Sequence, residues 1–257
     1  MRIAAVQMNM VWHDRAANHA RARELATEAK DADVDLIMFP EMFSTGFSMD
    51  TAVTAEPENG PTPGLLRSIA KQLKMNVLGG FAMADGNRRP KNVVLSVDRY
   101  GKDLALYAKI HQIALLHEDA HYQAGEQAQS FDLGLLSAAC LICYDLRFPE
   151  LFRSLVDRCG LFVIIASWPA ERQSHWDLLL RARAVENQCF VAGVNRVGEG
   201  GGLRFTGGSA IIDPTGAVIA SGGEQETLVI ADIDPKQIDA VRSAMPFLKD
   251  RRPHLFR

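Results

Sequence analysis

Short apolar runs alternate with helix-patterned segments along almost the whole chain, and this alternation restricts the fold more than any other feature. Arg2–Met8 and Val34–Phe39 read as strands. Between them, Asp14–Ala32 is rich in Ala, Glu and Arg and reads as a helix with Asp14 as its N-cap. Pro63–Lys74 reads as a second helix, capped by Thr62. Asn76–Met83 and Val93–Val97 read as strands, and Leu104–Ala108 as the returning arm of a hairpin across the turn Asp98–Gly101. Leu133–Cys143 and Leu161–Ala166 are apolar strands, the second of the kind found where both faces are covered. Pro149–Arg158 and Gln173–Glu186 are helical in pattern. The last third holds the short strands Phe190–Val194, Gly208–Ile212, Val218–Ala220 and Thr227–Asp232, then a helix Pro235–Ala244. Asp213-Pro214-Thr215-Gly216 is a turn, with Pro fixing φ and Gly supplying positive φ. Strands alternating with helices, together with antiparallel hairpins, predict a layered α/β fold with mixed sheets.

Composition narrows the function classes. With 47% apolar residues the chain can bury a substantial core. Its 28 basic and 31 acidic residues leave a net charge of −3, which points neither to nucleic acid nor to a charged membrane surface. The apolar N-terminus is interrupted by Gln7 and Asn9, so a buried strand is expected there rather than a signal peptide. No run of 18 apolar residues occurs, and no membrane-spanning helix is expected. Most of Cys140, Cys143, Cys159 and Cys189 lie in apolar stretches, as reduced cysteines do in a cytoplasmic protein. Cys140 and Cys143 form a C-x-x-C, but a strand places them on opposite faces and no second pair completes a metal site. Gly198-Glu199-Gly200-Gly201-Gly202 lacks the setting of a phosphate loop and reads as a flexible surface turn. Neither a metal nor a cofactor is expected.

Three ionisable residues stand at the ends of strand-like runs: Glu41 after Leu36–Pro40, Lys109 after Leu104–Ala108, and Cys143 after Leu141-Ile142. In α/β sheets, binding sites gather beyond the carboxyl ends of strands. Each residue alone has a plain structural reading, since strands end in charges on reaching solvent and buried cysteines are commonly inert. The combination is what argues for chemistry. At Cys143 an apolar strand stops, polar residues begin at once, and helix-like sequence follows. A strand-to-helix turn there would expose the sulfur and aim backbone N–H groups beside it, lowering the thiol pKa and offering an oxyanion site. His111, His117, His121 and His175 leave room for a Cys–His pair, because such pairs are assembled in space rather than in sequence.

The motifs Phe39-Pro40-Glu41-Met42-Phe43, Tyr107-Ala108-Lys109-Ile110-His111 and Cys143-Tyr144-Asp145-Leu146-Arg147-Phe148-Pro149-Glu150 stand in the order Glu, Lys, Cys. On these motifs the chain resembles the nitrilase superfamily of carbon–nitrogen hydrolases along nearly its full length. Further stretches look like the ω-amidase branch: Pro40–Phe47, Ser167-Trp168-Pro169-Ala170 with His175-Trp176, Arg181–Gln188, and Gly193–Gly198. The resemblance implies an α-β-β-α sandwich, one carbon–nitrogen hydrolase domain over residues 1–257, and a homodimer formed by helical layers after Cys143 and at Gln173–Glu186. It implies Cys143 as nucleophile, Glu41 as general base, and Lys109 with the Tyr144 N–H as oxyanion donors. A second family glutamate, seven positions before a glycine, falls on Glu118 before Gly125, with Glu126 as its competitor.

An ω-amidase cleaves the terminal amide of short dicarboxylate monoamides, such as 2-oxoglutaramate or 2-oxosuccinamate. The free carboxylate of such a substrate needs a partner, and guanidinium suits it through two-pronged hydrogen bonding. Arg147, Arg181 and Arg196 are the candidates, with Phe43, Phe47, Tyr144 and Trp168 as pocket walls. A nitrilase or N-carbamoyl hydrolase would use the same Glu, Lys and Cys. An inactive binding protein on this fold is the non-enzymatic alternative.

Overall fold

The computed structural model describes residues 1–255. Two mixed sheets lie face to face. The first contains β1 (Arg2–Gln7), β2 (Leu36–Met38), β3 (Ala55–Glu56), β4 (Asn76–Asp85), β5 (Arg88–Val97), β6 (Asp103–Ala108) and β15 (Thr227–Asp232). Their order is β15-β1-β2-β4-β5-β6, with β3 beside β4. The β1–β2 and β2–β4 pairs are parallel, while β15–β1, β4–β5 and β5–β6 are antiparallel. The second sheet contains β7 (Ser130–Asp132), β8 (Ser137–Ile142), β9 (Leu161–Ile165), β10 (Phe190–Val194), β13 (Ala210–Ile212) and β14 (Val218–Ser221), in the order β14-β13-β10-β9-β8-β7. A separate hairpin joins β11 (Val197–Gly200) to β12 (Leu203–Thr206).

The helical segments are α1 (Arg15–Asp31), α2 (Thr51–Thr54), α3 (Pro61–Leu73), α4 (Glu118–His121), α5 (Pro149–Leu155), α6 (Gln173–Asn187) and α7 (Lys236–Ala244). Strand alternation builds the layers. Ile3 and Ala5 of β1 and Leu36 and Met38 of β2 join one core with Leu78, Val94 and the second sheet. Ala4, Val6 and Ile37 face the other way, onto Ala22, Leu25 and Ala29 of α1 and Leu65, Leu66 and Ile69 of α3. On the far side, Phe152 of α5 and Trp176, Leu180 and Ala184 of α6 cover the second sheet. The result is the helix–sheet–sheet–helix stack that the family resemblance implies.

Most elements fall where the pattern places them, and the departures have local causes. Asp14 caps α1, its Oδ1 accepting from the Ala17 N–H at 2.9 Å. Thr62 does not cap α3. That helix starts earlier, with Pro61 in its first turn, and the Thr62 hydroxyl instead meets His19 Nε2 at 2.9 Å. The strand expected over Leu133–Cys143 begins only at Ser137. The preceding residues make a turn around Gly134, and Ser130–Asp132 supplies an extra antiparallel edge strand. The glycine run expected as a loose turn instead ends β11 and connects it to β12.

Candidate active site

Glu41, Lys109 and Cys143 each lie just past the end of a strand: β2, β6 and β8 respectively. The first two come from one sheet and the third from the other, so they meet where the two sheets end together. Glu41 is fully buried. The chain turns sharply after it, with Met42 at φ 45° and Gly46 at φ 79°. Gly80 of β4 allows this approach. A Cβ there would lie 2.9 Å from both Glu41 Cα and Met42 N.

Both Glu41 carboxylate oxygens accept hydrogen bonds from fixed donors. Asn92 Nδ2 donates to Oε1 at 2.7 Å, and the Ser167 backbone N–H donates to Oε2 at 2.8 Å. Lys109 Nζ lies 3.4 Å from Oε1. The same ammonium sits 2.9 Å from both oxygens of Glu118. Glu118 is itself buried and accepts from the Ile113 N–H at 2.8 Å, whereas Glu126 is exposed. One buried cation therefore serves two carboxylates, and Glu118 holds both short contacts. Burial and the Glu118 charge raise the Glu41 pKa above the usual carboxylate range, against the pull of Lys109, Asn92 and Ser167; burial is the largest influence. Burial alone would lower the Lys109 pKa, but the facing carboxylates outweigh it and raise it.

Cys143 is 4% exposed and opens a tight 3₁₀ turn, Cys143–Arg147, with φ at 47°. A left-handed backbone is costly for a residue with a Cβ and recurs at functional sites. Burial, followed by the Glu41 charge, pushes the thiol pKa well above its ordinary value, and Lys109 and the Ser167 amide only partly oppose this. The expectation that the turn lowers the thiol pKa is thus reversed. Desolvation beside a carboxylate outweighs the nearby donors, so the resting sulfur is protonated and needs a base.

Asp145 ties the Lys109 and Cys143 segments together. Its Oδ2 accepts from the Ile142 N–H at 3.0 Å and the Tyr107 hydroxyl at 2.7 Å. Its Oδ1 accepts from the His111 N–H at 3.0 Å and lies 2.8 Å from His111 Nδ1. The histidines are accounted for without a Cys–His pair. His111 stacks on Phe148, and His117, His121 and His175 are exposed.

A cavity of about 470 Å³ opens onto Cys143. Tyr144, Arg147, Trp168 and Phe47 line it, and the β11–β12 hairpin contributes Gly200, Gly201, Leu203 and Phe205. The Arg147 guanidinium lies 4.6 Å from the Trp168 ring centroid and 5.7 Å from that of Tyr144. One expected wall residue, Phe43, and one candidate carboxylate partner, Arg181, are elsewhere. Phe43 is fully buried in the core under α1 and α3, stacked on Phe39, because its side chain points back beneath the sheet. Arg181 donates to the Gly216 carbonyl at 3.1 Å and does not reach the cavity. Arg196 is buried beside the cavity without lining it.

Asn92, Ser167 and Asp145 were not singled out by sequence. Asn92 had one available signal, an amide directly before the apolar run Val93–Leu95 of a strand whose first half is basic. Among the described residues, no group of three or more His, Cys, Asp or Glu side chains is arranged to hold a metal ion.

The profile of the family described as carbon–nitrogen hydrolase matches residues 2–243. The chain belongs to the carbon–nitrogen hydrolase family. It is 33% identical over 256 residues to the 2-oxoglutaramate amidase of Bacillus subtilis (strain 168), covering 99% of this chain and 98% of that protein. It is 32% identical over 252 residues to the omega-amidase YafV of Escherichia coli (strain K12), covering 97% and 96%. The fold of this carbon–nitrogen hydrolase superposes with a TM-score of 0.92 on a CN-hydrolase superfamily protein of Xanthomonas campestris, at 33% identity, covering 98% and 97% of the two chains.

Proposed function

We propose that this carbon–nitrogen hydrolase is a cysteine-dependent ω-amidase, built as one domain over residues 1–257. It would convert small amides of the 2-oxoglutaramate or 2-oxosuccinamate type to the acid and ammonia. The observation that carries the reading is the buried Lys109 shared by Glu41 and Glu118 at the strand ends facing Cys143.

Glu41 takes the thiol proton as Cys143 Sγ attacks the amide carbon. The raised pKa of Glu41 suits it to this role, because an ordinary carboxylate is too weak a base for a protonated thiol. Lys109 and the Tyr144 N–H stabilise the oxyanion of the tetrahedral intermediate, each donor contributing about 3–4 kcal/mol. Glu118 holds Lys109 in place through its paired contacts. Glu41 then passes its proton to the leaving nitrogen, the C–N bond breaks, and ammonia departs from a Cys143 thioester. Water, deprotonated by Glu41, attacks the thioester and releases the acid, and the proton returns to the sulfur.

Arg147 receives the substrate's carboxylate. It lines the cavity and has no carboxylate within ion-pair distance among the described residues, so its charge is available. Phe47, Tyr144 and Trp168 wall the cavity around the short carbon chain. The names of the Bacillus subtilis and Escherichia coli relatives support this substrate class.

The reading also takes the protein as a cytoplasmic homodimer with no nucleic acid or membrane partner, joined through the α5–α6 layer. Leu178 and Val185, seven residues apart on α6, present apolar side chains to solvent in the single chain. Among the described residues no helix is long and apolar enough to cross a membrane.

A substrate panel tests the function. Ammonia release is measured from 2-oxoglutaramate, succinamate, butyramide, a short nitrile and an N-carbamoyl amino acid, with mass spectrometry of trapped Cys143. The ω-amides should react fastest and leave an acyl adduct on Cys143. Cleavage of the nitrile or carbamoyl compound with inert ω-amides would overturn the substrate class, and the absence of any adduct across the panel would overturn the enzymatic reading.

A further inference from the structure

We propose that Arg196 is a specificity-determining residue, whose buried and unneutralised charge biases the cavity toward amides that carry a carboxylate. This rests on the amidase reading and adds a second cation, one that acts through space rather than by contact.

Arg196 is among the largest fully buried side chains of the protein. Among the described residues its donors meet only backbone carbonyls: Nε reaches Val197 O at 3.3 Å, and Nη2 reaches Met10 O at 3.0 Å and Glu199 O at 2.9 Å. Nη1 has no hydrogen-bond partner among the described residues. No carboxylate lies within 4.0 Å of the guanidinium among the described residues, and the buried Glu41 and Glu118 are engaged by Lys109. Carbonyl dipoles ease the burial of a cation but do not cancel its charge. Burial lowers the Arg196 pKa to about 10, which leaves the group protonated at neutral pH.

The charge sits just behind the cavity wall. The guanidinium carbon is 4.5 Å from the ring centroid of Phe205, which lines the cavity. Nη1 lies between two glycines: a Cβ on Gly200 would be 3.0 Å from it, and one on Gly46 3.5 Å. Gly200 and the Trp12 ring, which a Cβ on Gly200 would meet at 2.8 Å, both line the cavity, so the guanidinium lies one layer behind the wall. In this low-dielectric setting a unit charge acts well beyond contact distance. An anionic substrate entering along the hairpin supplies the counter-charge that the fold withholds. A neutral amide of the same length does not.

The test compares kcat/KM for succinamate and butyramide in the wild type, Arg196→Met and Arg196→Lys. The succinamate-to-butyramide ratio should fall about tenfold in Arg196→Met, as expected for losing one charge near the ligand. It should recover largely in Arg196→Lys, which keeps the charge but loses the forked contacts that pin the hairpin. A merely structural role would lower both substrates together and make the two variants alike, and that result overturns the proposal, as does an unchanged ratio in Arg196→Met. If Arg196→Met does not fold, the lysine variant decides alone: a retained ratio with reduced thermal stability supports the charge, and a collapsed ratio refutes it. If wild type hydrolyses neither these amides nor 2-oxoglutaramate, the amidase reading has failed separately. Calorimetric binding of succinate against butyramide in the same variants then reads the anion preference directly.

Discussion

At the floor of the cavity, every side-chain oxygen of Glu41 and Glu118 and the ammonium of Lys109 has a partner within 3.4 Å inside the protein. At its mouth the Arg147 guanidinium rests on aromatic rings, with a lone 3.3 Å approach to His175 Nδ1. The floor is buried and hydrogen-bonded in advance, so its charges act strongly when charge moves during reaction. The mouth is half-buried and sparsely bonded, so it can adapt to what enters. On the proposed reading, the contrast separates two tasks, with bond-making chemistry below and choice of substrate above.

That division can be broken by mutation, most severely at the floor. Cys143→Ala should lower kcat/KM by about 10⁴-fold or more, since a covalent step has no substitute nucleophile. Ammonia release and loss of the acyl adduct check it, and a thermal melt should stay near the wild-type value. Lys109→Met should next cost about 3–5 kcal/mol of stability at neutral pH, because two carboxylates are left facing each other without a cation. Their pKa values in the folded state then rise above the unfolded ones, so the penalty grows with pH and shrinks as the carboxylates protonate. Urea unfolding at pH 5 and pH 8 should show the larger loss at pH 8.

The mouth should respond differently. Arg147→Met should raise KM for succinamate about 10- to 100-fold, with the larger part of the change in KM rather than kcat. An effect confined to kcat would place Arg147 with the chemistry and erase the distinction. The smallest effect is expected at Asn92, whose hydrogen bond favours ionised Glu41. Burial already raises the Glu41 pKa, so activity should rise with pH along an acid limb above the usual carboxylate range. Asn92→Ala removes a downward pull, so the limb should move to higher pH and cost about tenfold in kcat/KM on the acid side. A limb that stays in place would mean that Glu41 is not the titrating base.

The sequence made the floor more legible than the mouth, and the reason is physical. Glu41, Lys109 and Cys143 each follow an apolar strand, and strand ends are both readable in pattern and close together in a sheet. Asn92 reaches Glu41 from β5, across β4 from the strand that precedes Glu41, a relation set by strand order that no local pattern carries. Asp145 lies within the Cys143–Glu150 motif, yet its tie to Tyr107 and His111 depends on how the two sheets meet. Phe43 misled because an aromatic just past a strand can point into the cavity or back under the sheet, and it packs on Phe39. The glycine run misled because a turn of small residues reads alike whether it is loose or paired with Leu203–Thr206.

The left-handed backbone at Cys143 bears on the choice of a silent reference protein. Serine or alanine at this position keeps a Cβ and inherits the same torsional tension, so either isolates the loss of sulfur. Glycine would relax the tension while deleting the thiol, and would therefore report two changes at once. A glycine-substituted protein that melts above the wild type would measure how much rigidity the fold surrenders to hold its nucleophile at that turn.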